Sequence, residues 1–400
     1  MVRALDDIRI LDLTHFYNGP YSTLVLGFLG AEVIKLEPPR KGERARTIFP
    51  IPDTNRESFP FVMLNSNKKG ITLDLKTSRG KELFQELVEH VDVVVENFAV
   101  GVMDKLGVGY EVLKQKNPQL VYASSTGYGR SGPYSQFPAF DPIIQAMVGV
   151  MSTTGFADGP PLKAGPPILD MLGGIHLATG ILAALHQRDR TGQGVFVETS
   201  LFEAALPPLT TQISSYIAHG GKKYRRPGNT APNNAFVPYD CYPAQDGHVL
   251  LLCADDHRWR ALCRLMGREE LAEDSHFATN AVRRKRTDEV NAIVGAWTQS
   301  LPKQEVMNRC GAADITCGAV KEVDELLTDP HIRERGMLQD IEHPQAGRMA
   351  VLGSPWRLND EHPPIDSPSP SLGQHNELVY GQLLGLSAGE IQTLREHGVI

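Results

Sequence analysis

The sequence predicts an α/β protein: a large, doubly wound domain on a parallel sheet, followed by a smaller α+β domain. Three observations predict it. Short apolar runs alternate with helix-like segments up to Ser124, and the runs are near-continuously apolar, as in strands covered on both faces. A hairpin signal and clustered helices follow in the second half. The 400 residues exceed what one small core needs.

The elements follow in order. Ile8–Leu13 reads as the first strand. Pro20–Leu29 reads as a helix, with proline at its first position and Gly30 as its stop. Ala31–Leu36 and Ile71–Leu75 are the next strands. Ser78–His90 is amphipathic, with Leu83, Phe84, Leu87 and Val88 on one face. Val91–Val95 and Leu120–Ser124 are further strands. Ile168–His186 is a long apolar helix whose Gly173, Gly174 and Gly180 imply close backbone packing. Thr191–Gly194 turns the chain into the strand Val195–Thr199. This assigns 1–217 to the large domain, 218–234 to a linker and 235–330 to the small domain. In the small domain, Tyr239–Cys253 forms two strands around Asp246-Gly247, and helices follow near 255–265, 286–300 and 302–310. Residues 353–374 are Pro- and Ser-rich and extended, before a last helix over 374–384.

Composition narrows the function. Hydrophobic residues make up 41% and charged residues 22%, and the net charge is −7, from 40 Lys+Arg against 47 Asp+Glu. That excludes a disordered or collagenous chain and does not call for nucleic acid or an anionic membrane as main partner. The five cysteines, Cys241, Cys253, Cys263, Cys310 and Cys317, show neither Cys-x-x-Cys nor zinc-site spacing and read as reduced thiols. The N-terminus lacks a charged-then-apolar leader pattern, and no apolar run is read as long enough to cross a bilayer. A cytoplasmic enzyme is expected.

In doubly wound sheets ligands bind beyond the carboxyl ends of the strands, which points to 14–19, 37–46, 96–105 and 125–133. Gly127, Gly129 and Gly132 match G-x-G-x-x-G after a strand. Pro133 and Pro138 break the helix a dinucleotide site needs, so the segment reads as a glycine-rich loop. The basic run Lys222-Lys223-Tyr224-Arg225-Arg226 reads as a solvated loop that could meet phosphates. No metal motif occurs. Asp170 heads the long apolar helix. It is either that helix's N-cap or a carboxylate nucleophile that the helix N-terminus orients and keeps ionised, and residue chemistry alone leaves both open.

Several segments together resemble the class III coenzyme A-transferase family, which includes formyl-CoA and carnitine CoA-transferases. They are LDLTHFYNGP (11–20), LGAEVIKLE (29–37), NSNKKGITLDLK (65–76), VENF (95–98) with Gly101, TGYG (126–129) with Gly132-Pro133, Asp170 heading its helix, TGQG (191–194), and LGQH (372–375) with LGL (384–386). The resemblance covers nearly the whole chain. It implies a large Rossmann-like domain completed by 331–400, with the small domain inserted between, in interlocked homodimers. It implies CoA transfer from an acyl-CoA, with succinyl-CoA as the first expected donor, to a carboxylic acid. The route runs through an aspartyl anhydride and an aspartyl-CoA thioester on Asp170, with no cofactor beyond the CoA substrates.

The resemblance also implies contacts to CoA. His15, Tyr17 and Asn18 lie in the loop after the first strand, facing Asp170. Leu73 and Lys76 match positions near the adenine and its phosphates, and Asn97 and Phe98 line the pantetheine path. Lys105 replaces an arginine of some relatives, keeping the charge but losing the bidentate fork. Arg40, Arg44 and Arg46 could meet phosphates. Phe140 and Asp141 stand where formyl-CoA transferases have Tyr-Glu, and Tyr17 stands for their glutamine. No glycine run occurs in 235–260, which disfavours formate/oxalate exchange. Acyl-CoA racemases share the fold, but Ala139-Phe140-Asp141 lacks the histidine of their Gly-His-Asp pattern. The alternatives are such a racemase, or a CoA-binding protein without turnover.

Overall fold

In the computed structural model, six parallel strands form one sheet: β1 (Arg9–Asp12), β2 (Glu32–Glu37), β3 (Lys68–Thr72), β4 (Val93–Glu96), β5 (Val121–Thr126) and β6 (Phe196–Ser200). Residues 3–48, 58–222, 225–344 and 347–400 are described. The spatial order is β3-β2-β1-β4-β5-β6, so the winding direction reverses between β1 and β4. The loops after β1 and β4 therefore leave the sheet side by side at its carboxyl edge, where doubly wound sheets place ligands. The predicted third strand is displaced: it ends at Thr72, and Leu73 is already past it.

Helices cover both faces. α1 (Asn18–Phe28) starts two residues earlier than expected, so Pro20 is its third residue, and the chain turns at Gly30 with φ +110°. α2 (Ser78–Val88) buries Leu83, Phe84, Leu87 and Val88, the predicted face, at about 1.5–3 kcal/mol per fully buried side chain. α3 (Asp141–Met147) follows the glycine loop. α4 (Ile168–Thr191) packs on α1 and the sheet through a stripe that includes Gly173, Gly174, Leu177, Ile181 and Leu185. A Cβ on Gly173 would sit 2.3 Å from Asn18 Nδ2, and one on Gly174 2.6 Å from Asn18 O. The glycines thus let the two backbones meet.

α4 corrects one sequence expectation. Its 24 residues reach a mean hydropathy of 1.7, long and apolar enough by length and composition to cross a membrane. Here one face is taken up by the sheet and α1 instead.

The chain divides into two units. Met1–Val148, Ala164–Thr210 and Leu327–Ile400 form the first, and Gly149–Lys163 with Thr211–Leu326 the second. The second unit therefore includes 149–163, and its longer stretch begins inside α5 (Thr210–Ala218), ahead of the segment read as a linker. Its antiparallel sheet orders β7 (Tyr239–Ala244), β8 (Gly247–Leu252) and β9 (Thr316–Ala319). Trp259, Leu262, Val290, Val294 and Val306 fill its core. All five cysteines are free thiols. Of the basic run, Lys223 and Tyr224 lie outside the described residues, and Arg226 donates to Phe156 O at 3.1 Å.

Back in the first unit, a hairpin of β10 (Leu338–His343) and β11 (Gly347–Leu352) precedes the extended tail. The tail docks along β3. His375 N–H donates to Gly70 O at 2.8 Å, and Asn376 Oδ1 accepts the Thr72 N–H at 2.9 Å. The predicted last helix is α6 (Asn376–Leu384), and α7 (Ala388–Glu396) follows it. The apolar pattern does not predict α7, although its capping box, Ser387 with Glu390, marks its start.

Candidate active site

The loop after β1 and the loop after β4 are tied together at the point of strand reversal. Asn97 Oδ1 accepts the His15 N–H at 2.9 Å, and Asn97 Nδ2 donates to His15 O at 2.9 Å. The His15 ring meets Phe98 edge-on at 5.3 Å and Phe16 at 5.1 Å, and Phe16 in turn meets Phe140 at 6.0 Å. His15, Asn97, Phe98 and Phe140 are thus brought together, with Phe16 as a bridge. Burial first, then Lys35 and Arg44, push the His15 imidazole down to about 4. It is neutral at pH 7.

Asp170 lies in the first turn of α4. Pro167 occupies the N-cap position, so Asp170 is the third helical residue and not the cap. The capping role belongs to another carboxylate. Asp141 Oδ2 accepts the Leu169 N–H at 2.7 Å and the Asp170 N–H at 3.1 Å. Buried Gln145 holds Asp141 by donating to its Oδ1, and Gln145 Oε1 accepts the Ala164 N–H at 2.8 Å. Asn18 Nδ2 donates to Asp170 O at 3.1 Å. Backbone contacts therefore fix Asp170, while no donor among the described residues reaches its carboxylate.

The expectation that the helix N-terminus keeps Asp170 ionised is corrected. Burial, and then the Asp141 charge, push its carboxyl up to about 7. The donors that would have stabilised its charge are already spent on Asp141. Tyr17 lies within the same field: burial and then Asp170 raise its phenol. Asn18 Oδ1 is buried without a partner.

Of the other predicted contacts, Arg44 lies close enough to His15 for its charge to act on the imidazole. The Leu73 side chain is 1% exposed, in the core with Leu36 and Ile71, because β3 ends before it. Its side chain is thus unavailable to a ligand. Lys76 and Lys105 are exposed cations in loop and helix positions. Arg46 is excluded as a phosphate contact, since it is buried and paired with Glu37 at 2.6 Å. Arg40 and Arg44 remain exposed.

A cleft opens beside Phe98, lined by Glu96, Gly101, Tyr122, Ser124 and Arg130 among others. Burial pushes the Glu96 carboxyl up to about 6. Glu96, Gln145, Phe16, Lys35 and Glu43 were not foreseen. A lysine in the middle of the apolar run Val33–Leu36 was the one available signal.

The profile of CoA-transferase family III matches residues 5–376. The chain belongs to CoA-transferase family III. Among family III relatives, the formyl-CoA:oxalate CoA-transferase of Streptomyces coelicolor is 38% identical, covering 100% of this chain and 99% of that one. The succinyl-CoA:mesaconate CoA-transferase of Haloarcula hispanica is 36% identical, covering 98% and 99%. The crystal structure of a CAIB/BAIF family protein from Brucella suis superposes with a TM-score of 0.86 at 34% identity, covering 96% of this chain and 100% of that one. The chain is accordingly an enzyme of the transferase class, acting on CoA thioesters.

Proposed function

We propose that this enzyme moves CoA from an acyl-CoA to a small dicarboxylic acid, with Asp170 as the covalent carboxylate. One observation carries the reading. Asp170 is fixed through its backbone, half-buried, and its carboxylate oxygens are left without protein donors. A nucleophile needs that combination of held position and free lone pairs.

An Asp170 oxygen attacks the thioester carbonyl, the C–S bond breaks, and CoA leaves as thiolate, giving a mixed anhydride. The thiolate attacks the Asp170 carbonyl carbon and expels the donor acid as carboxylate, leaving aspartyl-CoA. The acceptor carboxylate attacks this thioester and releases the thiolate. The thiolate then attacks the acceptor's acyl carbon and frees Asp170. Each step needs stabilisation of a tetrahedral oxyanion by preorganised donors; within the Gly127–Gly132 loop the Gly129 and Arg130 N–H groups are already given to Thr126 Oγ1 and Glu198 Oε1.

His15, Asn97 and Phe98 form the wall along which the pantetheine arm runs. Lys76, Lys105, Arg40 and Arg44 are the cations for its phosphates. Oxalate and mesaconate, named for the two relatives, are both dicarboxylates, which supports that acceptor class. We infer also that a second copy covers the outer face of α4, where Ile175 is 38% exposed.

The test is a mass-spectrometric screen of succinyl-, acetyl- and formyl-CoA against a panel of mono- and dicarboxylic acids. A new CoA ester that Asp170→Ala abolishes is expected. Equal activity in the variant, or exchange with monocarboxylates alone, would sink the reading.

A further inference from the structure

Three acids and three bases are buried together beneath the β1 loop. Asp12 pairs with Lys68 at 3.0 Å, Lys35 with Glu43 at 2.7 Å, and Glu37 with Arg46 at 2.6 Å. None is more than 7% exposed. Burying six charges is costly unless each is paired and hydrogen-bonded, so such a set contributes little net stability beyond what an apolar core would give. Two of the three pairs have evident local duties. Lys68 donates to Pro20 O and Asn65 Oδ1, anchoring α1, and Arg46 donates to Pro370 O, anchoring the C-terminal tail.

The third pair grips the active-site loop at two points. Lys35 Nζ donates to Thr14 O at 2.8 Å. Glu43 Oε2 accepts the Phe16 N–H at 2.9 Å. Between these points lies His15, and Phe16 holds φ at +63°, a left-handed conformation that bulky side chains rarely adopt. That conformation persists only if its surroundings enforce it. It points the loop so that the rings of His15 and Phe16 reach Phe98 and Phe140, and it feeds directly into Tyr17 and Asn18 beside Asp170.

We propose that Lys35 and Glu43 are positioning residues. Lys35, through the Thr14 carbonyl, and Glu43, through the Phe16 N–H, clamp Thr14–Phe16 in its left-handed turn and so set the distance between the loop's substrate contacts and Asp170. The functional half of this inference rests on the transferase reading above. A misplacement of about 1 Å can cost on the order of a hundredfold in rate, so the clamp should be read in kcat.

The test uses the full chain. The double variant Lys35→Met/Glu43→Leu removes the pair without stranding a charge, so it should fold with a melting temperature near that of the parent. Its kcat for acyl exchange should fall at least tenfold. Hydrogen exchange in the 14–18 segment should accelerate while the rest of the sheet is unchanged. Glu43→Gln keeps an acceptor for the Phe16 N–H and should recover most of the rate.

A folded double variant with parental kcat and unchanged exchange at 14–18 overturns the clamp. If the double variant does not fold, Glu43→Gln against Glu43→Leu decides: equal kcat in the two overturns the proposal, and loss only in Glu43→Leu supports it. If the parent shows no acyl exchange, or Asp170→Ala is as active, the transferase reading falls. The clamp is then judged by hydrogen exchange alone: faster exchange at 14–18 sustains it, and unchanged exchange refutes it.

Discussion

Two carboxylates meet at the N-terminus of α4, and only one of them is hydrogen-bonded. Asp141 takes the helix donors, and Asp170 is left with the burial and the repulsion. A nucleophile must be ionised, so kcat/KM for exchange should rise with pH through about 7 and level off above it. Asp141→Asn removes the like charge, so the pH–rate profile should move to lower pH, even as the weaker cap lowers kcat. An unmoved profile would assign the titration to another group.

Linkage gives a second check. The folded carboxyl of Asp170 is raised, so between about 4 and about 7 the native state holds a proton that the unfolded chain has lost. Its ionisation therefore costs stability as pH rises across that window. Asp170→Asn should raise stability at pH 8, on the order of 1 kcal/mol, in urea titrations, and much less at pH 4.

At the scale of elements, the contact of α1 with α4 places Asn18 against Asp170, and glycines make that contact possible. Gly174→Ala would push a Cβ to 2.6 Å from the Asn18 carbonyl, a backbone atom that cannot step aside. The expected loss is about 1–3 kcal/mol of stability, by denaturant unfolding, together with a drop in kcat. α1 is also tied to the sheet by Lys68, whose ammonium reaches Asp12, Thr23, Asn65 and the Pro20 carbonyl. Lys68→Met removes the ion-pair partner of the buried Asp12 carboxylate and leaves it Thr14, Thr23 and the more distant charge of Lys35, which should cost about 3 kcal/mol in the same assay.

For the whole molecule, the buried charges set the acid limit. Burial alone would raise the Asp12 carboxyl, but Lys68, Lys35 and the hydroxyls of Thr14 and Thr23 outweigh it and hold it at about 2. A depressed carboxyl contributes stability that is complete above its unfolded value and is lost as pH falls through the folded one. Stability should therefore decline between pH 4 and pH 2 in equilibrium unfolding, and less steeply in Asp12→Asn, which has no such proton to take up. The exposed Ile175 on the outer face of α4 gives the remaining prediction at this scale. Light scattering at micromolar concentration should return twice the chain mass, and a monomer would refute the second copy.

What the sequence by itself determined was the pattern of local periodicity and punctuation. Continuous apolar runs, the amphipathic face of α2 and the stop at Gly30 specify the parallel sheet and several helices, because those signals act within a few residues, but they do not extend to α3, α5 or α7, nor to the last turn of α4 beyond His186. Order and spacing of short motifs carried the resemblance to the family and singled out Asp170. Strand ends are less legible: the third strand is predicted three residues late, because Lys68 and Lys69 at its start look like loop residues until their partners, Asp12 and Glu32, are known.

Only the tertiary structure decided which carboxylate caps α4 and which is left free. Asp141 and Asp170 are far apart in sequence, and a side chain's hydrogen bonds depend on what the fold brings to it. For the same reason the Leu73 side chain lies in the core and Arg46 in an ion pair, and Lys35, odd in its apolar run, found its partner in Glu43.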